Sequence, residues 1–370
     1  MMRLSEVLGK SLRGAELSRE ELLFLLRQRD GAREEIRAVA DEINRRMNGK
    51  VVTYVINRNI NYTNLCWCHC KFCGFYRAKG DPEAYTIGID EILRRIALNP
   101  EITEVCIQGG LNPGLPLTFF LQLLKEIKAR FPHIHIHAFS PMEIYDFSRR
   151  FGRGEEELLT RFKSAGLDSI CGTAAEILSD GVRREISPGK LATRDWIRII
   201  ETAHRLGIPS TATIMFGHIE GEEDVAEHLI ILREIQMRTG GLTEFIPLPF
   251  VPYNTALGRE RGIREMVPWE DVAHLLAVSR LFFQDTIKNI QASWVKLGLK
   301  GALETLSWGV NDLGGTLYEE NISRSAGASH GSLVTAEEFQ KAILKRARYP
   351  KKVTRGIINW GEPGERRVGG

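Results

Sequence analysis

The chain has 370 residues, 43% apolar and 26% charged, and its 50 basic against 47 acidic side chains leave a formal charge of +3. That balance excludes a wholly disordered or fibrous chain and gives no sign of a nucleic-acid or membrane partner. No apolar run approaches the ~18 residues of a membrane-crossing helix, and residues 1–37 are charged throughout where an export signal needs an apolar stretch, so the sequence predicts a cytoplasmic protein.

In chain order, residues 16–48 carry helix-spaced apolar positions (Leu22, Leu25, Leu26, Ile36, Val39, Ala40, Ile43), and Gly49 supplies a stop. A β-rich run follows over 51–56. Seven further strand-like runs lie at 103–107, 133–138, 167–171, 210–216, 243–248, 289–294 and 309–312. Helix-period segments separate them: Leu117, Phe120, Leu121, Leu124 and Ile127 share one face, and others span 155–165, 193–206, 222–239, 267–285 and 299–308. Eight strands alternating with helices predict an α/β fold of the (β/α)8 type, with an open doubly wound sheet as the alternative. The expected organisation is a helical extension over 1–50, a barrel over 51–335 with a loop at 61–77, and a C-terminal helix and basic tail over 336–370. The basic stretch 345–355 reads as a solvated helix end and tail.

Six cysteines are present, and four fall within eight residues: Cys66, Cys68, Cys70 and Cys73. In a long chain without an export signal, clustered thiols bind metal or do redox chemistry. Cys66, Cys70 and Cys73 have the spacing C-x3-C-x2-C. Three thiolates on a four-iron cube leave one iron open to chelate the amine and carboxylate of S-adenosylmethionine. A zinc site would need a second pair of ligands elsewhere. A thioredoxin-like pair leaves Cys66 unexplained. An electron-carrying cluster would need Cys68 as fourth ligand, and alternate residues in a tight loop tend to point apart. Cys106 and Cys171 sit in strand-like runs and read as small buried packing residues. His133, His135 and His137 alternate along one strand, so they share a face without forming a metal site by themselves, and His137 is expected nearest the site.

The cysteine spacing at the end of a first barrel strand resembles the radical S-adenosylmethionine superfamily. Asn59-Ile-Asn-Tyr-Thr-Asn64, Gln108-Gly-Gly110, His135-Ile-His-Ala-Phe-Ser-Pro141, Thr211-Ala-Thr-Ile-Met-Phe-Gly-His218 and Thr239-Gly-Gly241 resemble one subgroup, whose members build a deazaflavin chromophore or act in the futalosine route to menaquinone. Gly172-Thr-Ala-Ala175, Trp294-Val-Lys-Leu-Gly298, Asn311-Asp-Leu-Gly-Gly-Thr-Leu317 and Ile322-Ser-Arg-Ser325 resemble the tyrosine-dependent branch of FO synthesis. Phe75-Tyr-Arg77 and Asn254-Thr-Ala-Leu257 are more similar to the cyclic dehypoxanthinyl futalosine synthase branch, and the ending 355–359 departs from both.

The resemblance implies a [4Fe-4S] cluster on Cys66, Cys70 and Cys73. It implies S-adenosylmethionine held by Phe72, Tyr76, Gln108, Gly109, Gly110, Ser140 and Glu176. In the favoured branch, the 4-hydroxybenzyl group of L-tyrosine passes to 5-amino-6-(D-ribitylamino)uracil. His218 and Glu244 are then candidates for catalysis. Gln291, Ser293, Asn311, Asp312, Glu319 and Arg324, which crowd the last strand ends, are candidates for binding hydroxyl-rich substrates. An electron-donor protein and a second radical enzyme that closes the deazaflavin ring are the implied partners.

If Cys68 is a bystander, Cys68→Ala reconstituted anaerobically keeps the four-iron absorbance and paramagnetic signal. Loss of that signal would make Cys68 a ligand.

Overall fold

The computed structural model describes residues 2–284 and 286–354, so the ending 355–359 and much of the expected tail lie outside the described residues. Three helices, Leu4–Leu12, Arg19–Leu26 and Gly31–Asn48, precede the first strand. The single helix expected over 16–48 is therefore two. Ser18 and Glu21 cap the first reciprocally, with Glu21 N donating to Ser18 Oγ (3.3 Å) and Ser18 N to Glu21 Oε2 (2.7 Å). Asp30, at φ 50°, turns the chain before the second.

The strands are β1 (Val51–Val55), β2 (Asn57–Asn61), β3 (Glu104–Gln108), β4 (His135–Ala138), β5 (Ser210–Phe216), β6 (Leu242–Pro249), β7 (Asp312–Gly315) and β8 (Tyr349–Lys352). Every strand pairing is parallel: β2 with β3, β3 with β4, β5 with β6, and β1 with both β7 and β8. Single parallel bridges continue the series, His137 to Ser169, Ile170 to Ser210, Phe245 to Ile290 and Gln291 to Asp312. The pairs thus run from β2 around to β7 and return to β1. Of the eight expected runs, five form strands, that at 309–312 meets β7 only at Asp312, and those at 167–171 and 289–294 contribute only bridges.

The first run is split at Ile56, and side chains replace the ladder there. Asn57 N donates to Thr316 Oγ1 (3.0 Å), Thr316 Oγ1 to Asn57 O (2.8 Å), and Leu317 N to Asn57 Oδ1 (3.0 Å). The break lets β1 lie between β7 and β8 while β2 turns to β3. The basic stretch corrects the sequence reading. After the helix Ala336–Leu344 it forms β8, an edge strand with Pro350 and exposed Lys351 and Lys352, in register Val51 to Tyr349. Charge and proline are how an edge strand avoids further pairing.

The helix Trp269–Phe283 has every residue from Val272 to Phe283 buried. A helix apolar all round needs cover on all sides. It packs on β6 and on the N-terminal helices Arg19–Leu26 and Gly31–Asn48, which explains why the extension exists. Its one guanidinium, Arg280, is fully buried and donates to Gly309 O (2.7 Å), Lys288 O (2.8 Å) and Asn311 Oδ1 (2.7 Å). No helix among the described residues is long and apolar enough to cross a membrane.

Removing one partner of a buried charged network leaves the rest unsatisfied. Arg280→Met is therefore expected to cost about 3–5 kcal/mol of stability in urea unfolding. A loss below ~1 kcal/mol would show that those acceptors find water instead.

Candidate active site

A cavity of about 380 Å³ opens where the parallel strands end. Parallel strands bring their C-terminal ends, and hence their loops, to one side. The loop after β2 carries Cys66, Cys70 and Cys73, all lining the cavity. Backbone bonds hold this loop: Cys66 N donates to Arg77 O (3.1 Å), Arg77 N to Asn64 O (2.8 Å) and Lys71 N to Ile186 O (2.9 Å). The Arg77 guanidinium donates to Gly74 O (3.1 Å) and Tyr76 O (3.0 Å), satisfying carbonyls that a tight turn leaves unpaired. Cys68 does not point away as expected. It lines the same cavity, with its Sγ 3.6 Å from Cys70 Sγ, because His69 at φ 49° folds the chain back between them.

The site fits an iron–sulfur cluster bearing S-adenosylmethionine. Burial pushes the Cys66 and Cys73 thiols above their ordinary range, and a bound cation such as iron would favour their thiolate forms. The turn after β3 packs so closely on the cysteine loop and on Tyr62 that only glycine fits there. A Cβ on Gly110 would stand 2.2 Å from Leu65 O, and one on Gly109 would stand 2.5 Å from the Tyr62 ring. Groups suited to an amino acid and a nucleoside, the Phe72 ring and the polar groups of Tyr76, Gln108, Gly109, Gly110, Ser140 and Glu176, all line the cavity.

Left-handed backbone at non-glycine residues collects at these loops. Phe139 (φ 64°), Ala174 (63°), Glu176 (46°) and Leu317 (70°) each lie just beyond a strand or bridge, at a cost of order 1–3 kcal/mol apiece. Glu176 is ion-paired with Lys190, whose ammonium also lies 5.0 Å from the Phe72 ring centroid. Burial opposes the Lys190 charge, but Glu176 and the Cys70 thiol outweigh it and hold the ammonium above its ordinary range. Gln108 Nε2 donates to Thr173 Oγ1 at 2.5 Å. Ser140 caps the helix Pro141–Phe151 with Glu143, which is fully buried and also accepts from the Tyr62 hydroxyl (2.8 Å).

The structure divides the other expected residues. Gln291 and Ser293 line the cavity; six do not. The His218 ring is wholly buried beyond β5, with Nε2 3.2 Å from Met215 O and Nδ1 accepting from Ile219 N (2.8 Å), so it fixes its own loop. Glu244 is buried in β6; by strand alternation it shares a face with cavity-lining Ile246 and Leu248, one layer deeper. Asn311 joins Arg280 and Asn289 where β7 begins, away from the strand's C-terminal end. Asp312 accepts from Thr53 Oγ1 and Gly314 N. Glu319 pairs outward with Arg58 (2.9 Å) and Arg95 (3.4 Å). Arg324 donates to Asn321 Oδ1 (2.8 Å) on the surface.

Sequence reasoning passed over Glu143, Lys190 and Lys296, which line the cavity. Ser140 and Glu143 carry a readable S-x-x-E cap, whereas Lys190 in its loop and Lys296 in a helix show no local signal. Cys106 and Cys171, read as packing residues, also line the cavity with His137; the possible ligand atoms of the three lie within 4.8 Å of one another.

Comparison with known proteins agrees with this geometry. Residues 60–230 match the family model of the Radical SAM superfamily, and residues 239–359 match the CofH/MqnC C-terminal region. The chain is 49% identical over 320 residues to the 5-amino-6-(D-ribitylamino)uracil–L-tyrosine 4-hydroxyphenyl transferase 1 of Methanosarcina acetivorans, covering 85% of this chain and 84% of that protein. It is 45% identical over 356 residues to the similarly named transferase of Gloeobacter violaceus, covering 94% and 92%. Among solved structures, methylornithine synthase (PylB) superposes with a TM-score of 0.74 at 17% identity, covering 93% of this chain and 97% of that one. The [FeFe]-hydrogenase maturase HydG superposes with a TM-score of 0.74 at 15% identity, covering 95% and 76%. At such identities the structural likeness speaks to the fold.

Burial pushes the Glu143 carboxyl up to about 7 from an ordinary 4.5, outweighing its donors Ser140, Tyr62 and Gly109. The folded state then binds this proton more tightly than the unfolded state. The stability it contributes is full below pH 4.5 and is lost as pH rises through 7. Unfolding midpoints between pH 5 and 8 should fall more steeply for the wild type than for Glu143→Gln; parallel slopes would refute the assignment.

Proposed function

The chain belongs to the 5-amino-6-(D-ribitylamino)uracil–L-tyrosine 4-hydroxyphenyl transferase family of the radical S-adenosylmethionine superfamily, and we propose that it carries out that family's reaction in deazaflavin (FO) synthesis. The observation that carries this reading is the convergence of Cys66, Cys70 and Cys73 with the Gln108–Gly110 turn on one cavity, in a chain nearly half identical to named transferases. The ring of parallel pairs is read as a closed (β/α)8 barrel over 51–335, with 1–50 and 336–370 as extensions.

A reduced four-iron cluster bearing S-adenosylmethionine supplies hydrogen-atom abstraction, which no side chain of the protein provides. The chain's own residues do the rest. Cys66, Cys70 and Cys73 would hold that cluster through their thiolates. Gly109 and Gly110 let backbone approach the methionyl end, and Gln108, Ser140 and Glu176 offer it hydrogen bonds. Phe72 and Tyr76 flank the adenosine. Gln291 and Ser293 face the substrates, L-tyrosine and the ribitylaminouracil. Ile246, Leu248, Phe250 and Val251 give the wall an apolar stretch that excludes water from reactive intermediates. An electron-donor protein, a second radical enzyme acting on the product and a cytoplasmic setting complete the proposal.

Reconstituted, reduced protein given S-adenosylmethionine, L-tyrosine and 5-amino-6-(D-ribitylamino)uracil is expected to form 5′-deoxyadenosine together with the 4-hydroxybenzylated uracil, resolved by mass spectrometry. Turnover on dehypoxanthinyl futalosine alone, without the benzylated product, would move the chain to the cyclase branch.

A further inference from the structure

Charge is matched on one stretch of the cavity wall and unmatched on another. Near the cluster loop, Lys190 is closed by Glu176. Lys296, in the helix Trp294–Glu304, lines the same cavity, yet among the described residues no carboxylate lies within ion-pair distance of its ammonium. Burial pushes this lysine down to about 8, with Glu320 and Glu176 acting in the opposite direction, so it stays largely protonated at neutral pH. An ammonium that lines a cavity without a carboxylate to pair with is a ready site for an anion.

Glu320 lines the same cavity and acts on Lys296 through charge without pairing with it. It is 7% exposed, and its carboxylate is aimed by backbone donors, Ser323 N at 2.9 and 3.1 Å and Arg324 N at 3.4 Å. The neutral hydrogen-bonding side chains of Gln291 and Ser293 line the same wall. The wall therefore presents a cation and an anion, which match the carboxylate and ammonium of an α-amino acid.

The geometry points to an amino-acid subsite in which the Lys296 ammonium receives the substrate carboxylate and the Glu320 carboxylate receives the substrate ammonium. The assignment rests on the transferase reading, which makes that amino acid L-tyrosine. S-adenosylmethionine carries the same two groups. In that reading its methionyl end lies with the thiols and the Gly109–Gly110 turn, after the first two strands of the ring, whereas Lys296 and Glu320 follow the last two.

Anaerobic equilibrium dialysis on the full, cluster-reconstituted chain tests this with L-tyrosine, tyramine (no carboxylate), 3-(4-hydroxyphenyl)propionate (no ammonium) and S-adenosylmethionine. Lys296→Met is expected to weaken L-tyrosine roughly tenfold or more, as for a lost charge-assisted bond. It should leave tyramine and S-adenosylmethionine unchanged, and Lys296→Arg should restore part of the loss. Glu320→Gln should weaken L-tyrosine and tyramine but not the propionate. Equal L-tyrosine binding by wild type and Lys296→Met overturns the subsite alone. So does a selective loss of S-adenosylmethionine, or a wild type that binds tyramine as tightly as L-tyrosine, which needs no variant to fold. With dehypoxanthinyl futalosine added as a fifth ligand, a wild type that binds it but no L-tyrosine overturns the functional reading, and the subsite with it.

Discussion

Two backbone segments touch directly at Gly110, and the site depends on that contact. Gly110 N donates to Thr63 O at 2.9 Å, and the missing side chain leaves room for the carbonyl of Leu65, the residue before the first cysteine. The cysteine loop and the glycine turn after β3 are thus joined at a direct backbone contact. Any side chain at Gly110 would pry them apart, because the obstructing atom is backbone and cannot rotate away.

Around that contact the fold separates two jobs along each strand. At the C-terminal ends, left-handed residues and short loops present thiols, amides and charges to a shared cavity. Toward the other end, polar groups of similar type are consumed by the structure itself. Arg280, Asn311 and Asn289 bond to one another and to neighbouring carbonyls, and Thr53 bonds to Asp312. The buried polar network closes the ring where no chemistry is needed, and burial makes each of its bonds costly to lose.

This separation explains what could be read from the sequence. The cysteine spacing, the glycine pair and the alternation of strands with helices are local patterns, and the structure brings their residues together. The runs at 167–171 and 289–294 survive only as bridges, although β4 and β7 form ladders from four residues each, so run length alone does not separate them. Asn311 was misplaced because a polar residue near a strand looks the same at either end, whereas His218 lies at the expected end of β5 but turns its ring back onto Met215 O and Ile219 N, a facing that a single sequence does not show. Lys190 and Lys296 were missed because a lysine in a loop or helix reads as solvated until the fold encloses it. Cys68 was misjudged because one left-handed residue, His69, reverses the expected alternation.

The strand β8 ties the far end of the described chain to its beginning. β1 pairs only with β7 and β8, about 260 and 300 residues downstream. During synthesis, therefore, Val51–Val55 emerges long before either neighbour, and it stays without them until most of the polypeptide has left the ribosome. Such a delay leaves an apolar segment open to chaperones or to misassembly until residues some 300 positions downstream have emerged.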